Sequence, residues 1–219
     1  LPKNIDMFVG YDQSIFVNES IYEVRFALLI SILMVIGVIY YFLSSSAATF
    51  IPAITIPVSL ISTFYVIYIL GYSLNVLTFL ALVLAIGLIV DDSIVVLENI
   101  KRRIENGEKS FNASIEGAKQ ITFVVIATTL VLVSVFLPLS FMGGKTGRLF
   151  IEFGVVLSFA VIFSSIVALT LTPMLCSKLL KDNTKAKKEP ILISKFRNFY
   201  KESLLESQKN PKRVYLFSI

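Results

Sequence analysis

Five apolar runs of about 20 residues constrain this chain more than any other feature. A run of that length crosses the hydrocarbon core of a bilayer as one helix. Lipid offers no partner to backbone N–H and C=O groups, so a crossing segment must satisfy them internally, as an α-helix does. The runs are continuous and lack the alternation of a membrane β-barrel. Composition agrees, with 56% hydrophobic and 16% charged residues, where a soluble domain has about a quarter charged. The chain reads as an all-α polytopic membrane protein with five complete transmembrane helices.

The spans are expected over about 24–43, 50–70, 76–97, 121–141 and 149–175. Before them, Ile5, Met7, Val9 and Tyr11 alternate with Asp6 and Asp12, which predicts a short strand over 4–12. A lone strand cannot stand by itself, so residues 1–19 read as the remnant of a larger soluble domain. Ser20 and Glu23 are spaced as a capping box opening the first helix. "SSSAAT" and "GYSLN" are short turns, and "MGGKTGR" is a glycine-rich one. Pro52 and Pro57 fall early in the second span, Pro138 interrupts the fourth, and Pro173 lies near the end of the fifth. The polar stretch 98–120 reads as a helix pair or a surface helix.

Membrane helices thus occupy 20–176, and 177–213 is basic and polar. After the linker "SKLLKDNTKAKKEP", Ile193, Phe196, Tyr200 and Leu204 recur at helical spacing among Lys195, Arg197, Lys201 and Lys209. That pattern is a cytosolic amphipathic helix lying on an anionic leaflet, or one packed on protein. Residues 214–219, "VYLFSI", begin another apolar run. The chain does not begin with Met, its first residues lack the features of a secretory signal, and it stops where a sixth span starts. It therefore looks cut at both ends.

Lysine and arginine set the orientation. Sixteen lie in 98–120 and beyond the fifth span, against four, Lys3, Arg25, Lys145 and Arg148, on the other side. This puts the polar segment and the tail in the cytoplasm and the N-terminus outside. The same bias accounts for the net charge of +5, so no nucleic-acid partner is needed. Cys176 cannot form an internal disulfide and reads as a small core residue. Histidine is absent and the carboxylates are scattered, so no metal cluster and no cofactor site is visible. No nucleophile–base arrangement points to an enzyme. "GGKTG" lacks the four-residue gap of a phosphate-binding loop.

The feature that carries chemistry is "LAIGLIVDDSIVVLENI", residues 84–100. Asp91 and Asp92 lie about 9 Å inside the cytosolic end of the third span at ~1.5 Å per residue. Asp is too short to snorkel that far. An ionised Asp deep in a membrane helix costs roughly 2.5–3.5 kcal/mol even on lenient scales, and two adjacent charges repel. Such a pair must bind a proton or face a fixed cation. Gly87 and Ser93, with Ala81 and Ala85, leave small surfaces on which another helix can approach. Successive residues point about 100° apart, so the two carboxylates can face different neighbours. No Lys, Arg or His lies deep in any of the five spans, so the expected cation is missing. Glu152, near the outer end of the fifth span, is either an ordinary interfacial carboxylate or an aid to proton access.

These residues carry a family likeness. The stretch 84–100 resembles the fourth transmembrane helix of resistance-nodulation-division efflux transporters. "IPAITIPVSL", "GYSLNVLT", "VFLPLSFMGGKTG" and "VALTLTPMLCSKLL" agree with the same family in order. The likeness implies helices two to six of the N-terminal repeat, the cytosolic connecting helix and the start of the seventh helix. It implies that Asp91 and Asp92 are proton-relay carboxylates and that the relay lysine lies on a helix of the C-terminal repeat. It also implies proton/substrate antiport in the bacterial inner membrane, a homotrimer, a periplasmic adaptor and an outer-membrane channel. The double aspartate points to the hydrophobe/amphiphile branch. The heavy-metal branch, a proton-driven accessory of protein secretion, and a non-transporting membrane module are the alternatives. "SSSAAT" departs from the family, where a basic residue is frequent in that turn.

Overall fold

The computed structural model describes residues 13–43, 45–181 and 200–205. Five long α-helices follow in order: α1 (Gln13–Leu43), α2 (Ser46–Ile69), α3 (Val76–Glu105), α4 (Ser110–Phe136) and α5 (Gly144–Leu179). A 3-10 turn, Leu137–Phe141, links α4 to α5. All five helices are long and apolar enough to cross a membrane, as the apolar runs require. Residues 185–219 form a separate unit; within it 200–205 are helical, with Tyr200 and Leu204 exposed. The strand expected over 4–12, the rest of the amphipathic helix including Ile193 and Phe196, and the apolar start at 214–219 lie outside the described residues.

α3 and α5 form the centre of the bundle. In each, 56% of the membrane span is buried, against 6% in α1 and 11% in α4. One apolar cluster joins Ile56 and Leu60 of α2, Leu82, Ile86 and Ile89 of α3, and Val156, Leu157 and Ala160 of α5. A second, toward the other end, joins Ile51, Val96, Leu97, Ile100, Val125 and Cys176. Cys176 is wholly buried, the core role its apolar setting suggested.

Several boundaries correct the sequence reading. α1 begins at Gln13, so Ser20 lies inside the helix and is no N-cap. Of the two readings of the polar stretch 98–120, the helix pair is the one found, not the surface helix. α3 runs on to Glu105, a turn at 106–109 carries Gly107 at φ 97°, and α4 starts at Ser110. The polar residues are extensions of two spans, a helical hairpin. The glycine-rich turn shrinks to Met142 and Gly143, because α5 starts at Gly144. α5 also runs to Leu179, a few residues beyond the apolar limit. Pro138 does interrupt the fourth span, where it falls in the 3-10 turn. Pro52, Pro57 and Pro173 are accommodated within helices.

The hairpin is locked by a close helix crossing. A Cβ on Gly117 would fall 2.8 Å from Ile100 Cγ1 and 3.3 Å from its Cα. The buried Asn99 amide donates to the Gly117 carbonyl at 2.9 Å and accepts from Arg102 at 2.7 Å. Nearby, Ser110 Oγ donates to the Leu180 carbonyl at 2.8 Å, joining the start of α4 to the end of α5. Lys101 Nζ donates to the last carbonyl of α1, Leu43, at 3.3 Å. Replacing Gly117 by Leu must separate α3 from α4 or distort both, at a cost of about 1–3 kcal/mol. Thermal unfolding of the purified protein in detergent should show a lowered midpoint for Gly117→Leu and a much smaller change for Gly87→Ala, whose Cβ meets nothing within 4 Å.

Candidate proton-relay site

Asp91 and Asp92 lie near the midpoint of α3. The helix runs unbroken through them, and Asn75 fixes its start. The Asn75 side chain accepts from Leu77 N and Thr78 N, and Thr78 Oγ1 accepts from Asn75 N, a reciprocal capping box.

The two carboxylates point to different surroundings. Asp92 turns toward α5, where Ser164 Oγ donates to Asp92 Oδ2 at 2.8 Å. The same hydroxyl lies 3.3 Å from the Ile89 carbonyl, one turn earlier on α3. Ser164 itself is 1% exposed, so this contact is interior to the bundle. Asp91 is exposed, and it is not alone on that face. Leu80, Leu84, Gly87, Asp91 and Val95 follow at intervals of three or four residues, and all five are exposed. Such a stripe is one side of a helix. Its upper and lower members are apolar and its centre is a carboxylate. Neither aspartate forms an ion pair among the described residues.

The other expected site residues divide. Gly87 belongs to the exposed stripe, with open space where a Cβ would stand. Ala81 and Ala85 are fully buried. Ser93 is buried against α2, where its hydroxyl lies 3.0 Å from Thr55 Oγ1. Glu152 is remote from the aspartates, at the end of the bundle where α3 and α5 begin. Its Oε2 accepts from the Asn75 side-chain amide and from Ser73 Oγ, the latter at 3.2 Å. The carboxylate ties α5 to the residue that caps α3.

Ser164 and Thr55 were not singled out from the sequence. Hydroxyl residues are frequent in these spans, and many donate to a carbonyl of their own helix, as Ser31, Ser62, Ser134 and Ser158 do. Nothing local distinguishes a serine that reaches a neighbouring helix. The one available signal was depth: a carboxylate at Asp92 needs a donor, and α5 carries two adjacent serines, Ser164 and Ser165, inside its apolar span.

Comparison with known proteins gives this geometry a lineage. The model of the AcrB/AcrD/AcrF family matches residues 1–217. The multidrug resistance protein MdtC of Escherichia coli O139:H28 is 49% identical over 181 residues, which cover 83% of this chain. MdtC of Pectobacterium atrosepticum is 50% identical over 181 residues, also 83% of this chain, and MdtC of Salmonella arizonae 48% over 190 residues, or 87%. In each case the match covers 18% of the relative's own length. A multi-pass membrane segment, the chain belongs to the AcrB/AcrD/AcrF family, among the resistance-nodulation-division transporters that its motifs resemble.

Proposed function

We propose that this segment carries the proton relay of a proton-driven multidrug efflux transporter, with Asp91 and Asp92 as the proton-binding groups. The observation that carries the reading is the division of labour within the pair. Asp92 is held inside the bundle by Ser164, while Asp91 stands on an uncovered stripe of α3. A carboxylate on such a stripe is costly in lipid and inexpensive against a cation. The stripe has the shape a second helix requires: apolar shoulders at Leu80, Leu84 and Val95, and a gap at Gly87 that lets a backbone approach. We assign this face to the helix of the C-terminal repeat that, by the family likeness, supplies the relay lysine.

The mechanism follows from charge. With both carboxylates ionised, the lysine is drawn to them. A proton arriving from outside neutralises one and weakens that attraction. Each proton returning inward supplies roughly 2.3 kcal/mol per 100 mV of membrane potential. The helices then relax to a second packing, as alternating access requires. The positively charged hairpin end, with Lys101, Arg102, Arg103 and Lys109, is the cytoplasmic end by the charge rule, and the Glu152 end is periplasmic. The relatives are named multidrug resistance proteins, which favours hydrophobic or amphiphilic substrates over metal ions. The inner membrane, a homotrimer, a periplasmic adaptor and an outer-membrane channel complete the proposal, all on the family likeness.

Glu152 is better read as a tether than as a proton carrier, because its oxygen is engaged by two donors of the α2–α3 turn.

Substitutions at four positions in the intact transporter test these roles. Asp91→Asn and Asp92→Asn should each abolish drug extrusion from energised cells while trimers remain intact; normal extrusion by both would overturn the relay. Ser164→Ala removes a donor to a charged acceptor, worth about 1.5–3 kcal/mol, and should lower extrusion by roughly tenfold, with Ser164→Thr retaining most of it. Glu152→Gln keeps an accepting oxygen and should transport nearly normally, whereas a proton carrier at that position would be inactivated by the same change.

A further inference from the structure

The Thr55–Ser93 contact lies beside the relay and has no place in the mechanism above. It joins α2 to α3 at the residue following Asp92, and both side chains are buried. Its direction can be deduced. A hydroxyl has one proton to donate. Thr55 Oγ1 also lies 3.0 Å from the Pro52 carbonyl, which can only accept. With its proton on Pro52, Thr55 must accept from Ser93. The chain of bonds therefore runs from Ser93 to Thr55 to the Pro52 carbonyl.

That direction has an effect on the other side of α3. A serine inside a helix ordinarily donates to the carbonyl four residues back. For Ser93 that carbonyl belongs to Ile89. Ser31, Ser62, Ser114, Ser134 and Ser158 all make this bond. Ser93 instead faces Thr55. The side of the Ile89 carbonyl not taken by the helix ladder is thereby left to Ser164, 3.3 Å away. Ser164 has two acceptors within reach, Asp92 Oδ2 and Ile89 O. With Asp92 ionised, the Ser164 proton goes to the carboxylate. With Asp92 protonated, the acid becomes the donor to Ser164, whose own proton must turn to Ile89.

We propose that Thr55 is a positioning residue for the proton relay: by accepting the Ser93 hydroxyl it keeps the Ile89 carbonyl open for Ser164, the side chain that serves both protonation states of Asp92. The proposal rests on the relay reading of Asp92. The hydrogen bonds of Thr55 go to Pro52 and Ser93, not to either aspartate. It acts through Ser93 and a backbone oxygen, from a helix the family motif around the aspartates does not include. Its place on α2 suits the task, because Pro52 and Pro57 both lie inside that helix. Each proline lacks an N–H, which loosens the helix's own ladder there. The Thr55 bond to Pro52 stitches that stretch and fixes where Thr55 presents its oxygen.

The test is a set of variants in the full-length transporter, read by drug extrusion and by the infrared C=O stretch of protonated Asp92, assigned by its loss in Asp92→Asn. In Thr55→Val, Ser93 has no partner on α2 and falls back on Ile89. Extrusion should drop about threefold, the scale of one interhelical hydrogen bond in a membrane protein, and the C=O stretch should shift. Thr55→Ser should restore both. Ser93→Ala removes the competitor rather than the carbonyl, so it should lose much less than Thr55→Val. The double variant T55V/S93A should recover most of the loss. A simple packing contact between α2 and α3 behaves in the opposite way: Ser93→Ala would be as damaging as Thr55→Val and the double variant no better. That pattern, or an unshifted C=O stretch in Thr55→Val, overturns the proposal. Should Asp92→Asn itself transport normally, the relay reading fails, and the infrared band still decides whether Thr55 governs the hydrogen bonding of that carboxyl.

Discussion

Asp92 bonded to Ser164 is the contact on which the arrangement of the bundle turns. A carboxyl group in a low-dielectric interior requires donors whichever protonation state it is in. α3 cannot supply them, because its backbone is engaged in its own ladder. A neighbouring helix must, and α5 does so with one hydroxyl from its buried face. The bond lies between α3 and α5, the most buried pair of helices, while α1 and α4 stay at the margin. The apolar cluster on either side fixes the helix separation at which a serine hydroxyl just reaches an aspartate.

The polar contacts fall into two kinds by location. At the ends of the bundle most involve a charged group, an amide or a backbone carbonyl: Glu152 with Asn75 at one end, Asn99 with Gly117 and the Ser110 hydroxyl with the Leu180 carbonyl at the other. Midway they involve hydroxyls and one carboxylate: Thr55 with Ser93, Ser164 with Asp92. Hydroxyls exchange donor and acceptor roles by rotating one bond. The middle is therefore made of groups that can change partners without rebuilding the backbone.

Much of this was legible in the residues. Apolar run length located five helices, because lipid leaves a crossing segment no other choice. The depth of Asp91 and Asp92 singled them out as the candidate site, because charge in hydrocarbon is costly. That they face different neighbours followed from helical rotation alone. Other features were hidden. The helices continue past their apolar limits into Arg102, Arg103 and Ser177, since helical propensity does not end where hydropathy does. Ser20 and Glu23 had the spacing of a cap but sit within a helix that starts earlier. Ser164 and Thr55 were silent because a hydroxyl's partner depends on which helix lies opposite. That is tertiary information, and nothing in the neighbouring residues encodes it.

The end contacts have a mechanical consequence. α3 is fastened to α5 directly where both begin, and through the start of α4 where both finish. Two rods joined at both ends resist sliding past each other like a piston in a cylinder. They can bow apart. A bow is largest at the midpoint, where Asp91 and Asp92 lie, and vanishes at the fastened ends. On the proposed relay, loading or unloading a proton at the centre would be expressed as a change of curvature, and the stroke passed on would be a tilt of whatever rests on the bowed face.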